Sequence, residues 1–195
     1  MTLLHCQRCG TTLQASAHPN VRGCPRCLAE GEYPAPPLIE GPPIEGLHPD
    51  LDVVRRAFRL FEQGDRERML ELFAEDFSGR TISTGELVEG PGGSREFMRR
   101  ANEGQNELEA TAFRFERNGY GQVAVFGRLR VRGPEGMVDS PAAWIYSVAD
   151  GLITSAESYT SMARAQRALR AFAEREQLGR SREATPASGG VHNRQ

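Results

Sequence analysis

The stretch AAWIYSVADGLITSAESY, residues 142–159, carries the clearest hairpin signal in the chain. Asp150-Gly151 favours a two-residue type I′ turn, because aspartate and glycine tolerate the positive φ angles that this turn requires. The aromatic and β-branched residues on either side favour strands. The register that follows pairs Ala149 with Leu152, Tyr146 with Ser155, Trp144 with Glu157, and Ala142 with Tyr159.

Because side chains alternate along a strand, this register places four large side chains on one face of the sheet, namely Trp144, Tyr146, Glu157 and Tyr159. A four-residue loop at residues 133–136 adds further apolar side chains to that face: Val123, Val125, Leu129 and Val138. We expect a layer of helices to cover it.

Glu157 is the acidic residue that the register places among aromatic side chains. In a pocket, Glu157 acts as a general acid or base, while Trp144, Tyr146, Tyr159 and, as a further candidate, Arg114 contact the ligand. In a collapsed core, the tyrosine hydroxyls or Arg114 simply satisfy the carboxylate. A third interpretation keeps the pocket for ligand binding without catalysis.

The opposite face of the predicted sheet is also apolar over half of its length. A two-residue turn at Asn118-Gly119 places on it Phe113, Phe115, Ala124, Phe126 and Ile145. A patch of this size is costly to leave in water. We therefore predict a homodimer through this sheet face.

Missing residue types limit the chemistry of the main domain. All 24 basic residues are arginine, which excludes a lysine Schiff base or a P-loop. The four histidines lie outside residues 50–177, and the four cysteines all precede residue 28. Nucleophilic catalysis by Ser-His-Asp or Cys-His is therefore excluded from that domain, as is a histidine metal site.

The N-terminal segment contains two C-x2-C motifs, formed by Cys6, Cys9, Cys24 and Cys27. Each motif directs two thiolates at one ion, and two motifs complete a tetrahedral site for which Zn²⁺ is the usual occupant. Four protein ligands leave no position for water, so we expect one structural Zn²⁺ per chain. Two disulfides or a redox motif are the alternatives. The pattern is similar to a zinc ribbon.

The predicted organisation has four parts. A zinc ribbon spans residues 1–32, and a proline-rich linker spans residues 33–49. The linker favours extended structure and is expected to act as a spacer. An α+β domain occupies residues 50–177, and a disordered tail occupies residues 178–195.

Net charge and hydropathy limit the classes of partner and the location that we expect for this protein. The net charge is −2 and the pI is about 6.1, which argues against binding to polyanions. Charges in the ribbon nearly balance, so a nucleic-acid partner gains no electrostatic support, and a protein partner for the ribbon stays open. The sequence shows no apolar run long enough to span a bilayer and no signal-peptide pattern, so a cytoplasmic protein is expected.

Residues 50–175 resemble the SnoaL-like, nuclear transport factor two-like superfamily. The resemblance rests on FEQGDRERMLELFAEDF, GYGQVAVFGRLRVRG and DGLITSAESYTSMARAQRAL. It implies a cone-shaped, curved antiparallel sheet packed against N-terminal helices, with a cavity between sheet and helices and frequent dimers through the sheet. Members include polyketide cyclases, ketosteroid isomerases and enzymes similar to scytalone dehydratase.

The isomerase's catalytic residues do not carry over. When the ketosteroid isomerase pattern is aligned without gaps on LFAEDF, its aspartate base corresponds to Thr81. Its catalytic tyrosine then falls near Ala57, and its acidic oxyanion partner falls near Ala142 or Ala143. None of these side chains supplies the required group.

We therefore favour binding or sensing of a small hydrophobic ligand, coupled to a structural zinc ribbon that mediates an interaction. The first alternative is an enzyme of the lyase, isomerase or cyclase type that uses Glu157. The second is a protein-interaction module without a ligand.

Overall fold

The computed structural model describes residues 2–29, 34–41, 48–81, 85–101, 107–117, 121–133 and 136–183. The strands are β1 (Leu3–His5), β2 (Thr12–Gln14), β3 (Ile39–Glu40), β4 (Phe73–Arg80), β5 (Leu87–Val88), β6 (Glu107–Arg117), β7 (Gln122–Gly133), β8 (Gly136–Ala149) and β9 (Leu152–Tyr159). The helices are α1 (Pro25–Ala29), α2 (Pro49–Glu62), α3 (Arg66–Leu70), α4 (Gly93–Ala101) and α5 (Met162–Glu183). None of the described helices is both long and apolar enough to cross a membrane.

One nine-stranded curved sheet forms the centre of the α+β fold, in the order β3-β1-β2-β6-β7-β8-β9-β4-β5. Its pairs are antiparallel except for β4 and β9, which run parallel. Helices α2 and α4 pack on one face, and α5 packs on the other. The predicted fold class, a curved sheet packed against N-terminal helices, is confirmed.

Helix α2 forms because apolar residues recur at helical spacing along one side. Leu51, Val54 and Phe58 lie on that side and are buried against the sheet. The helix begins at Pro49, where proline suits the first helical position, since the nitrogen there has no helical acceptor to bond. Asp65 ends the connection to α3 and accepts a hydrogen bond from the backbone N–H of Arg68.

The β8–β9 hairpin has the predicted turn but not the predicted register. Asp150 and Gly151 adopt φ angles of 52° and 76°, and Ala149 pairs with Leu152. A β-bulge beyond the turn leaves Thr154 as an extra residue on β9 and shifts every later pair by one. The observed partners are Tyr146 with Ala156, Trp144 with Ser158, Ile145 with Glu157, and Ala143 with Tyr159. The predicted position of Glu157 and Tyr159 beside Trp144 is therefore wrong.

A second irregularity alters the β6–β7 pair. Arg117 pairs with Val123, so the connection is longer than the predicted two-residue turn at Asn118-Gly119. Residues 118–120 lie outside the described part. The register shifts again between Ala112 and Arg114. Phe115 consequently packs on the face of α2 and not on the opposite face, and the predicted placement of Arg114 beside Trp144 is wrong for the same reason.

Helix α5 covers the face predicted to form a dimer interface. Ala165 and Leu169 of α5 pack on Phe126 and Ile145, which are 2% and 6% exposed. The chain therefore buries this patch itself, and the oligomeric state stays a prediction. The helix continues to residue 183, six residues into the stretch predicted as a disordered tail, and residues 184–195 lie outside the described part.

The N-terminal ribbon continues the main sheet. Strand β2 pairs with β6, matching Thr12 with Phe115 and Leu13 with Arg114. The proline-rich stretch is more than a spacer, because β3 pairs with β1 and the Cys24 N–H bonds the Pro36 carbonyl. The ribbon and the α+β domain of residues 50–177, called the pocket domain below, thus share one sheet.

Candidate functional site

An apolar cavity of about 90 Å³ lies between the sheet and the helices α2, α3 and α4. Its lining comes from both layers and consists of Ala57, Phe58, Phe61, Met69, Phe73, Thr81, Phe97, Met98, Leu108, Ala110, Leu129, Trp144, Tyr146 and Ser158. Cavities between a sheet and its helices are common sites for small ligands. This cavity is the candidate binding site of the molecule.

Aromatic contacts fix the wall next to α2. The ring of Phe58 lies edge-on to Trp144 at 5.5 Å and to Tyr146 at 6.0 Å, measured between ring centroids. Such edge-to-face contacts favour defined ring orientations. The wall therefore presents a shaped aromatic surface to the cavity.

Polar groups in the lining are few and neutral. Burial raises the pKa of Tyr146, so its hydroxyl keeps its proton. Burial is the only cause of this pKa shift, and among the described residues no hydrogen-bond partner is assigned to this hydroxyl. Thr81 and Ser158 supply the other two hydroxyl groups. A ligand oxygen or nitrogen that reaches Tyr146 gains a partner there.

Titratable side chains are nearly absent from the lining, as far as the described residues extend, and Tyr146 is the one that it holds. Carboxylates, histidines, cysteines and arginines are all absent from it. General acid–base catalysis requires a titratable group within hydrogen-bond reach of the reacting atoms. Among the described lining residues, the Tyr146 hydroxyl is the group that can exchange a proton with a ligand, and its raised pKa favours the protonated form.

Glu157 and Tyr159 lie on the other side of the sheet. They line a separate cavity of about 280 Å³ beneath α5, together with Ile145. Glu157 is exposed and accepts a hydrogen bond of 2.5 Å from the Tyr159 hydroxyl. The β9 bulge causes this placement, because it reverses the faces of the residues that follow it.

Arg114 also lies away from the apolar cavity. Its guanidinium stacks over the ring of Phe126 at 4.3 Å and pairs with Glu116 at 3.0 Å. Phe126 belongs to the cluster beneath α5. The proposed contribution of Arg114 to the pocket therefore has no support in this geometry.

The structure brings two of the sequence-predicted residues, Trp144 and Tyr146, to the cavity wall; their role in ligand binding stays a prediction. The contribution of α2 and α3 to the lining is not among the predictions from the sequence, although the helical stripe of Ala57, Phe58 and Phe61 is a signal for α2. Ala57 and Thr81, the positions that correspond to the ketosteroid isomerases' tyrosine and aspartate in the count without gaps, also meet at this site. Both line the cavity, although neither carries the isomerase's chemistry.

The four ribbon cysteines converge on one point. Their sulfur atoms all lie within 4.8 Å of one another, with Cys6 and Cys27 at 3.9 Å and Cys9 and Cys24 at 3.5 Å. Tetrahedral zinc with Zn–S bonds of about 2.3 Å separates its sulfurs by about 3.8 Å. A disulfide needs about 2.05 Å. The cluster thus has the geometry to hold a metal ion and shows no disulfide.

Hydrogen bonds link the sulfur atoms of the cysteine cluster. The bond between Cys9 and Cys24 lowers the pKa of Cys9 to about 4 and raises the pKa of Cys24, so Cys9 is the thiol of this pair that loses its proton first. Burial raises the pKa of Cys27. Thr11, whose hydroxyl lies 3.2 Å from the Cys9 sulfur, makes a smaller contribution to the lowered pKa of Cys9. Metals bind thiolates and not thiols. An outer hydrogen bond of this kind orients a ligand in many metal sites.

Comparison with known proteins identifies a SnoaL-like domain over residues 54–156. Bal32a, from a soil-derived mobile gene cassette, is 17% identical with a TM-score of 0.53, over 57% of this chain and 88% of that one. TerC, co-crystallised with polyporic acid, is 18% identical with a TM-score of 0.52, over 63% and 98%. An NTF2-like protein from Anabaena variabilis is 21% identical with a TM-score of 0.52, over 62% and 96%. No curated protein matches significantly.

Glu157 and Ser158 are neighbours on β9 but lie on opposite faces of the sheet, so substitutions at the two positions should change the free energy of unfolding differently. Glu157→Gln should change the free energy of unfolding by less than about 1 kcal/mol and leave the Trp144 emission maximum unchanged, because Glu157 is exposed on the far face. Ser158→Asp should cost about 2–4 kcal/mol, because it buries a carboxylate beside Trp144. Urea denaturation followed by the fluorescence of Trp144 measures both. A shifted emission in Glu157→Gln would contradict the observed register.

Proposed function

This chain belongs to the SnoaL-like family, and we propose that it binds a small, uncharged ligand with one ring and one hydrogen-bonding group. The observation that carries the proposal is the apolar cavity, whose described lining has no charged side chain and whose one phenol, Tyr146, has no described hydrogen-bond partner. Apolar area then supplies the affinity, and Tyr146 supplies the orientation.

Cavity size supports a ligand of one ring. An engineered protein cavity of about 150 Å³ holds benzene. The present cavity measures about 90 Å³, so a ring enters after a modest expansion. Met69 and Met98 line it, and methionine side chains adjust readily because they are unbranched and flexible. Larger polycyclic ligands would require movement of the α2 wall.

Charge supports the choice of an uncharged ligand. Transfer of an ionised group into an apolar site is costly unless an opposite charge meets it. The described lining offers no such charge. A phenol, or an alcohol or ketone on a ring, meets the Tyr146 hydroxyl without that cost.

We further propose that the cysteine cluster holds one structural Zn²⁺. Four thiolates with near-tetrahedral spacing suit zinc, and the closed set leaves no coordination position for a substrate. The proposed role of the metal is therefore to hold the ribbon together.

The ligand proposal predicts a difference between two tyrosines. Calorimetric titration of the intact protein should show binding of p-cresol and toluene, and Tyr146→Phe should weaken p-cresol binding about 3- to 10-fold while leaving toluene unaffected. The basis is the loss of one hydrogen bond, worth about 1 kcal/mol. Tyr159→Phe is the matched control, since its hydroxyl lies on the other face and should not affect binding.

Equal effects of the two tyrosine variants would contradict the role of Tyr146. Absence of binding at millimolar concentrations across phenol, p-cresol, toluene and cyclohexanone would contradict the ligand class. Thermal melting of each variant verifies that the fold is retained.

Metal content tests the zinc proposal. Protein purified under reducing conditions should contain about one zinc per chain by elemental analysis, and Cys24→Ser should lose it, because three thiolates hold zinc more weakly than four. His5→Ala is the control: His5 is buried next to Cys6 but is not part of the cysteine cluster. Zinc-free wild-type protein, or cysteines paired as disulfides, would refute the proposal.

A further inference from the structure

We infer that the metal in the ribbon and the ligand in the apolar cavity bind cooperatively, through a packed connection that runs from Gly10 and Thr12 to Phe58. The inference rests on the proposed function and adds its regulation. Loss of the metal lowers the affinity of the cavity for its ligand, and the ligand in turn raises the affinity of the cysteine cluster for the metal, because linkage between two sites is reciprocal.

The ribbon depends on its metal because it has almost no apolar core of its own. Its buried cluster consists of Cys6, Cys24 and Cys27, packed against Cys9 and Leu38. Its three strands are only three, three and two residues long. Elements this short do not persist alone in water, and small metal domains of this kind fold only when the metal is bound.

The ribbon is fastened to helix α2 by a buried arginine. Arg55 is 9% exposed and donates a hydrogen bond of 2.6 Å to the carbonyl of Gly10, and a further bond to the Thr12 hydroxyl. Gly10 also closes the first cysteine turn, since its N–H bonds the Cys6 carbonyl at 2.9 Å. The turn that carries two metal ligands is thus the turn that satisfies Arg55.

Shape complementarity strengthens this junction. Gly10 adopts a φ of 74°, and a Cβ atom at this position would collide with His48 and Leu51. Leu51 is fully buried. The first turn of α2 therefore packs directly on the metal-binding turn of the ribbon.

The junction reaches the cavity through β6. Thr12 is the register partner of Phe115, and the Arg55 guanidinium lies 5.9 Å from the centre of the Phe115 ring. Phe115 contacts Phe58 edge-on at 5.7 Å. Phe58 in turn lies against Trp144 and Tyr146 on the cavity wall. One aromatic contact, between Phe115 and Phe58, thus connects the residue beside the ribbon strand to the cavity wall.

Unfolding of the ribbon removes several supports at once. Arg55 loses two acceptors, the edge of β6 loses its partner strand, and Leu51 loses its cover. Leu51 is then exposed to water and the first turn of α2 loses the contacts that fix it, so α2 becomes more mobile. Phe58 of α2 forms part of the cavity wall, so the ligand must order this helix again when it binds. The free energy needed for that ordering lowers the affinity for the ligand.

The experiment measures p-cresol affinity of the full-length protein with zinc and after chelation. Removal of zinc should weaken binding at least about fivefold, and saturating p-cresol should raise zinc affinity in chelator competition by the same factor. Arg55→Gln in the presence of zinc should weaken p-cresol binding in the same direction. Arg59→Gln, an exposed arginine of the same helix, should have no effect.

The outcomes separate this inference from the proposed function. Binding of p-cresol with equal affinity in both metal states overturns the cooperative connection and leaves the ligand proposal standing. Absence of p-cresol binding to the zinc-loaded protein overturns both. Far-UV circular dichroism must show that the chelated protein keeps most of its secondary structure. Global unfolding on chelation also overturns the inference, since it requires a folded pocket with lowered affinity.

Discussion

The hydrogen bonds of Arg55 to the ribbon are the interaction on which the arrangement of this molecule depends. A buried guanidinium is stabilising only when its donors are paired, and two of the partners of Arg55 are Gly10 and Thr12. Asp52, one turn earlier on the same helix, provides the compensating charge at 3.1 Å. The helix that forms the pocket wall and the segment that carries the cysteines are therefore oriented by the same side chain.

Two β-bulges decide which side chains reach the pocket. The irregularity in β6 directs Phe115 toward α2 and Arg114 away from it, and the bulge at Thr154 directs Ser158 inward and Glu157 outward. Together they leave the described wall aromatic and uncharged. Helix α5 then covers the second face of the sheet, so both faces are buried within one chain over part of their area.

Much of the architecture could be predicted from the sequence. The turn at Asp150-Gly151, the paired cysteine motifs and the helical stripe of α2 each express a local rule, and each appears in the structure. The bulges have no such local signature, and a shift of one residue reverses every side chain beyond it. The sequence pattern therefore predicts the wrong face for Glu157. The docking of β2 on β6 depends on edge pairing between segments about 100 residues apart, which periodicity does not reveal.

The central claim is that ribbon and pocket domain share one continuous sheet, and amide hydrogen exchange of the metal-loaded protein tests it most directly. Pairing of β2 with β6 predicts that amides of residues 12–14 and 113–116 exchange slowly, with protection approaching that of the β7–β8 pair in the centre of the sheet. Exchange of these amides at the rate of an unprotected sheet edge, with β7 and β8 still protected, would contradict the account.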